Sequence, residues 1–128
     1  MITKITKGVK VSVTTKYEGS FYKNKKVCFA FSYQITIENT TDAIIQIDSR
    51  YWKIADSLTD TKIVEGDGIV GEQPILYPED SHTYQSGCVL ESPMGAMLGN
   101  YTVINLLDKK KFKVSIPCFQ LIAPYSMN

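Results

Sequence analysis

The segment Gly66-Asp67-Gly68-Ile69-Val70-Gly71 spells G-x-G-x-x-G. In dinucleotide-binding folds that spacing lets a pyrophosphate approach backbone N–H groups at a helix N-terminus. Here the next residues are Glu72, Gln73 and Pro74, which do not open a helix, and no strand–helix–strand unit surrounds them. Glu65, Asp67 and Glu72 put three acids around the loop, and these would repel a phosphate. The simpler expectation is a bent loop whose glycines adopt positive φ. Gly66, Asp67, Gly68, Gly71, Glu72, Gln73 and Pro74 remain the candidate binding loop.

Other chemistry is weaker. His82 is the single histidine and no C-x-x-C or H-x₃-H spacing occurs, which argues against a structural zinc site. Asp56, Asp60, Glu65 and Asp67 offer oxygen ligands for a hard divalent ion, but they follow no loop template. Ser81-His82 reads as a nucleophile beside a base. Adjacent strand residues point to opposite faces, however, so the two are badly placed to act together. No G-x-S-x-G elbow is present. Cys88 and Cys118 are expected to be small core residues. No catalytic residues, no metal ligands and no cofactor are therefore expected.

The charge balance is +1 overall but uneven along the chain. Residues 1–26 carry seven lysines against Glu18, whereas residues 38–80 carry ten acids against Arg50, Lys53 and Lys62. A bipolar surface suits docking to a charged partner, and it also keeps a β-protein in solution. The N-terminal lysines lie near Tyr17, Phe21 and Tyr22, but the acidic middle argues against nucleic acid as a partner. MITKITKGVKV lacks the apolar core of a signal peptide, and no apolar run reaches membrane-span length. With three widely spaced cysteines, Cys28, Cys88 and Cys118, the expectation is a cytoplasmic protein with free thiols and no membrane contact.

Period-2 alternation supplies the frame for these residues. Val9, Val11, Val13, Thr15 and Tyr17 form one face of a first long strand. Val27, Phe29, Phe31, Tyr33, Ile35 and Ile37 form one face of the next, with Cys28 on the other. Glu38 to Asp42 reads as a turn. The following strand starts with Ile45 and Ile47 inward, then shifts phase by one residue to Trp52 and Ile54. A bulge between Asp48 and Tyr51 would absorb the shift. Short strands follow at 61–65, 74–77, 83–90, 101–107 and 111–117, with Asp108–Lys110 as a hairpin tip and Phe119–Leu121 as a short final strand. Met94, Met97, Leu98 and Tyr101 sit at helical spacing, but Gly95 and Gly99 and the β-branched residues beyond argue for a loop over 92–100. Many short strands predict one all-β domain over residues 1–128, an immunoglobulin/fibronectin-type-III-like β-sandwich. Trp52 is expected in its third strand, and Tyr101 as a tyrosine corner bonded to backbone.

Gly66 to Pro74, with Leu76 and Pro78 and then Tyr84-Gln85-Ser86-Gly87, resembles the ApaG family, also called CorD in bacteria. Pro93-Met94-Gly95-Ala96-Met97-Leu98-Gly99-Asn100-Tyr101 is similar to that family's Pro-x-Gly-x-Met-x-Gly-x-Tyr segment. Arg50-Tyr51-Trp52 and Phe119 to Pro124 also fit, so the likeness runs from about Val11 to Pro124. Pro78-Glu79 departs from the family's usual Pro-Gly. The resemblance implies a β-sandwich without catalytic residues, a link to cobalt and magnesium resistance, and a protein-binding role like that inferred for similar domains in eukaryotic F-box proteins. The expected function is a non-catalytic protein–protein interaction module with an unidentified protein partner, acting as a monomer or homodimer. Met94, Met97 and Leu98 form its candidate partner surface. The alternative is a nucleotide-, pyrophosphate- or divalent-ion-binding protein using the 66–74 loop.

Overall fold

Side chains that alternate between apolar and polar convert almost the whole chain into strands, because each such strand buries one face and solvates the other. The computed structural model describes residues 1–124, so the last four residues of the expected 1–128 domain lie outside the described residues. The strands are β1 (Ile2–Thr6), β2 (Val9–Lys23), β3 (Lys26–Asn39), β4 (Ile45–Asp56), β5 (Lys62–Asp67), β6 (Ile75–Leu76), β7 (Ser81–Leu90), β8 (Met94–Asn105) and β9 (Lys111–Ile122). They form two antiparallel sheets. One has the order β1-β2-β3-β7; the other has β5-β4-β8-β9, with β6 also pairing β4. The two sheets make the expected sandwich.

Val9, Val11 and Val13 of β2 and Tyr33, Ile35 and Ile37 of β3 are buried against Ile45, Ile47, Trp52, Tyr101 and Val103 of the facing sheet. The densest part is aromatic. Trp52 and Phe119 meet edge to face at 5.9 Å between ring centroids, and Tyr33 packs on both rings at 5.6 Å. Such arrangements suit the ring quadrupoles and add to the area each ring removes from water.

Several expectations change. β1 had no strong alternation to announce it; it pairs β2 from Ile2↔Val13 to Thr6↔Val9. Trp52 consequently lies in the fourth strand, not the third. Residues 94–100 are strand and not loop. Gly95 and Gly99 sit there because β4 runs close alongside: a Cβ on Gly99 would meet the Tyr51 carbonyl oxygen at 2.0 Å, and one on Gly95 the Ala55 oxygen at 2.4 Å. Tyr101 is fully buried in the penultimate strand, but its hydroxyl bonds the Tyr84 hydroxyl of the facing sheet and not backbone. The last two expected strands fuse into β9, whose register shifts where Pro117 and Cys118 oppose Leu98. Proline is tolerated at such a bulge. The bulge also turns Cys118 outward, so it is exposed and not a core residue, while Cys28 is buried and Val27 exposed. The β2–β3 register shifts between Tyr17 and Gly19, so that Cys28 lies opposite Phe21, while Phe29 still packs against the core opposite Leu90. All three thiols are free.

Truncating the ring on which both other aromatics pack should destabilise strongly. Phe119→Ala is expected to cost about 3–5 kcal/mol in urea unfolding followed by tryptophan fluorescence.

Candidate functional site

The site begins with one residue too many in β4. Ile45 and Ile47 point inward, and the β4–β8 register shifts between Ile47 and Ser49, leaving Asp48 as the extra residue. This bulge lies at the first residue of the expected interval. It re-phases the strand, so Arg50, Trp52, Ile54 and Asp56 form the next inward row. All four line a cleft of about 780 Å³ on the flank where β5 and β7 are the sheet edges. β7 supplies the opposite wall: Ser81, Thr83, Gln85, Gly87 and Val89 are exposed, whereas His82, Tyr84, Ser86 and Cys88 point inward and are half-buried. Tyr33 lies beneath, and Ile69, Lys62 and the β2–β3 turn close the ends.

The glycine loop is stitched to the bulge. Gly68 N–H donates to the Asp48 carbonyl at 2.7 Å, and Gln73 Nε2 donates to the same oxygen at 2.9 Å. Ile69 and Glu72 exchange backbone hydrogen bonds at 2.6 and 3.0 Å around Val70 and Gly71. Both central residues have positive φ, 48° and 80°, as a type I′ hairpin turn requires. Arg50 Nη1 donates to the carbonyls of Asp67 and Gly68 at 3.0 and 3.1 Å, and its guanidinium lies over Gly66, where a Cβ would meet it at 2.8 Å. Ile69 reaches down from the loop into the core. The loop's glycines are thus accounted for by backbone geometry and close approach. Three of its N–H groups donate to backbone carbonyls, whereas a phosphate cradle would need them turned toward a ligand.

The protonation states of the cleft follow from burial and hydrogen bonding. Burial pushes the Tyr33 hydroxyl up against the opposing pull of the Ser86 hydroxyl. It pushes Tyr84 far up, and Tyr101 as well, whose charged form the neighbouring tyrosines would also disfavour. Burial raises the Cys88 thiol, outweighing the nearby positive charge of Lys62. For Asp56, burial acts upward, but it is outweighed by hydrogen bonds from the Ser92 hydroxyl at 2.6 Å, the Glu91 N–H at 2.7 Å and the Leu58 N–H at 3.2 Å. The carboxyl therefore lies below its ordinary range.

The sequence-derived candidates are divided by the structure. Gly66 and Asp67 end β5, and Gly68, Gly71, Glu72, Gln73 and Pro74 form the stitched loop on one rim of the cleft. Met97 is buried in the core beside Ile54 and Phe119, so it does not belong to a partner surface as expected. The reason is that residues 94–100 are strand, where neighbours alternate between faces. Met94 and Leu98 do face outward, 54% and 39% exposed, on the outer side of the five-stranded sheet. Ser81 faces out and His82 in, stacked on Tyr84, which separates that pair as expected. The cleft residues Arg50, Tyr84, Ser86, Cys88 and Asp56 were not recognised as a group. The phase shift in β4 was the available signal, since it turns every even-numbered residue from Arg50 onward inward.

The ApaG domain family model matches residues 19–105. The chain is 39% identical to protein ApaG of Mesorhizobium japonicum over 124 residues, covering 97% of this chain and 95% of the relative. It is 37% identical to protein ApaG of Shewanella sediminis, covering 96% and 97%. Among solved structures, the X-ray structure of the structural-genomics target SoR45 superposes with a TM-score of 0.87 at 32% identity, covering 94% of this chain and 90% of that one. A Bordetella pertussis protein assigned as ApaA gives 0.80 at 34% identity, covering 92% and 95%.

Two measurements check this geometry. Gly71→Ala meets no atom within 4 Å and should cost only about 1–2 kcal/mol, the left-handed penalty of an L-residue. Gly68→Ala should cost clearly more, because its Cβ would lie 2.1 Å from the Glu72 carbonyl oxygen; thermal unfolding of the two variants decides. Asp56, being depressed, contributes stability that is present above the unfolded carboxylate pKa and lost as pH falls through the lower folded value. Asp56→Asn should accordingly be destabilised relative to wild type at pH 7, and the gap should close on acidification below the usual carboxylate range near 3.8.

Proposed function

The chain belongs to the ApaG family, and from that premise we propose that it is a non-catalytic protein–protein interaction module of the cytoplasm. The direction in which Tyr33, Asp56, Tyr84 and Cys88 are shifted in the cleft carries this reading. General acid–base work is most effective when a group titrates near the working pH. Each shifted group of the cleft moves the other way. Tyr33, Tyr84 and Cys88 rise and stay protonated, and Asp56 falls and stays charged. A raised thiol is also a poor nucleophile, because the thiolate is the reactive form. Such groups can hold and orient a bound segment, and they are poorly suited to moving protons.

Two surfaces support a macromolecular partner. One is the cleft with its β7 lip. The other is the outer face of the five-stranded sheet, where Met94 stands opposite Ile122, and Leu98 lies beside Lys53, itself opposite Ile63; all of these but Lys53 are exposed apolar side chains. Three free thiols fit a reducing compartment. The Asp56 carboxylate is already occupied by protein donors, and the loop N–H groups of Gly68, Ile69 and Glu72 by carbonyls. We therefore place any contribution to cobalt or magnesium resistance in the partner and not in an ion or nucleotide held by this domain.

Affinity capture from a native lysate is expected to retain a protein that is lost on adding a charge at the responsible surface, Val89→Glu on the cleft lip or Leu98→Glu on the outer face. Pure protein should leave ATP and diadenosine tetraphosphate intact. Turnover of either, or capture of nothing above background, would overturn the reading.

A further inference from the structure

The four sheet edges differ in protection. β1 carries Lys4; β5 carries Lys62, Glu65 and Asp67; β9 carries Lys111, Lys113 and the Pro117 bulge. Charges, proline and bulges are the usual means of stopping a strand from accepting another. β7 has none of them. Its ten residues, Ser81–Leu90, include no Lys, Arg, Asp, Glu or Pro, and its pairing with β3 runs without a shift from Glu38↔Ser81 to Phe29↔Leu90. At roughly 3.3 Å per residue it offers a straight edge of about 33 Å. Among the described residues no strand occupies its other side.

A strand added there would continue the four-stranded sheet beyond Tyr84, Ser86 and Cys88. Its alternate side chains would then enter the cleft. The charges that would meet them are unbalanced. Asp56 is held by Ser92 and the Glu91 N–H, and Glu91 pairs with Lys26 at 3.1 Å. Arg50 donates only to carbonyls and, among the described residues, has no carboxylate within 4.0 Å. Lys62 is also exposed on the facing edge, so the cleft lining carries Lys23, Lys26, Arg50 and Lys62 against Asp56, Asp60 and Glu91. A second copy pairing β7 to β7 would bring no carboxylate to Arg50 or Lys62, because β7 itself carries none.

Resting on the interaction-module reading, we infer that β7 accepts an extended segment of a protein partner as an added strand, with acidic side chains of that segment directed toward Arg50 and Lys62. Backbone pairing supplies affinity in this mode and alternate side chains supply specificity.

The test uses a displayed library of random twelve-residue peptides selected on the intact protein. Enriched peptides are expected to carry Asp or Glu at alternate positions and to slow amide exchange along β7 by about tenfold or more. Lys62→Glu, an exposed change, should weaken them by about fivefold or more, and N-methylation of alternate peptide amides should abolish binding. The inference is overturned if no peptide is enriched, if binders lack acids, if their footprint lies outside β7 and the cleft, or if β7 becomes protected with rising protein concentration alone. A captured partner that cross-links to the Leu98 face and not to Val89 would sink this inference and leave the interaction module standing. Capture of no protein would remove the reading beneath it.

Discussion

A strand that buries Ile45 and Ile47 at one end and Trp52 at the other has to lose one residue of phase between them, and Asp48 is where β4 does so. The kink does more than restore the core. The Asp48 carbonyl is left to receive Gly68 N–H and Gln73 Nε2, so the glycine loop is docked on the bulge itself. Two residues on, Arg50 turns inward and grips the same loop from the other side, and Ile69 is drawn into the core as a plug. Core, loop and cleft are consequences of one backbone irregularity, which is why the glycines, the arginine and the tryptophan belong to a single arrangement.

The sandwich closes on one flank and stays open on the other. Where β1 passes β9, the Ser115 N–H donates to the Thr6 hydroxyl at 3.3 Å, and the layers meet. On the opposite flank the inward rows carry Arg50, Tyr33, Tyr84 and Ser86. A guanidinium is too costly to bury without a charged partner, so that side keeps contact with water. The Tyr84 and Tyr101 hydroxyls bond one another across the gap between sheets, which satisfies two buried polar groups where an apolar core could not. Polarity inside the sandwich thus sets the shape of the cleft before any ligand is considered.

Much of this was legible in the residues. The faces of β2 and most of β3, the slip in β4, the tip at Asp108–Lys110 and the separation of Ser81 from His82 all follow from period two and turn chemistry. The failures have physical causes. β1 is short and mostly exposed, so burial left no pattern on it. The first half of β8, residues 94–100, was read as a loop because its glycines look like breakers, when they mark the close passage of Tyr51 and Ala55. Cys118 was put on the wrong face because a bulge in β9 shifts phase with little trace in local composition.

Family, all-β class and the inward or outward assignment of most side chains were determined by the sequence itself, since alternation is local and each strand records its own burial. Which strands lie side by side was decided only in the tertiary structure. Strands far apart in sequence choose their neighbours through the packing of the whole core, and no short window holds that information. The uncharged run Ser81–Leu90 reads the same at the centre of a sheet as at its edge. Its place at an edge, beside a cleft holding Arg50, exists only once both sheets have formed.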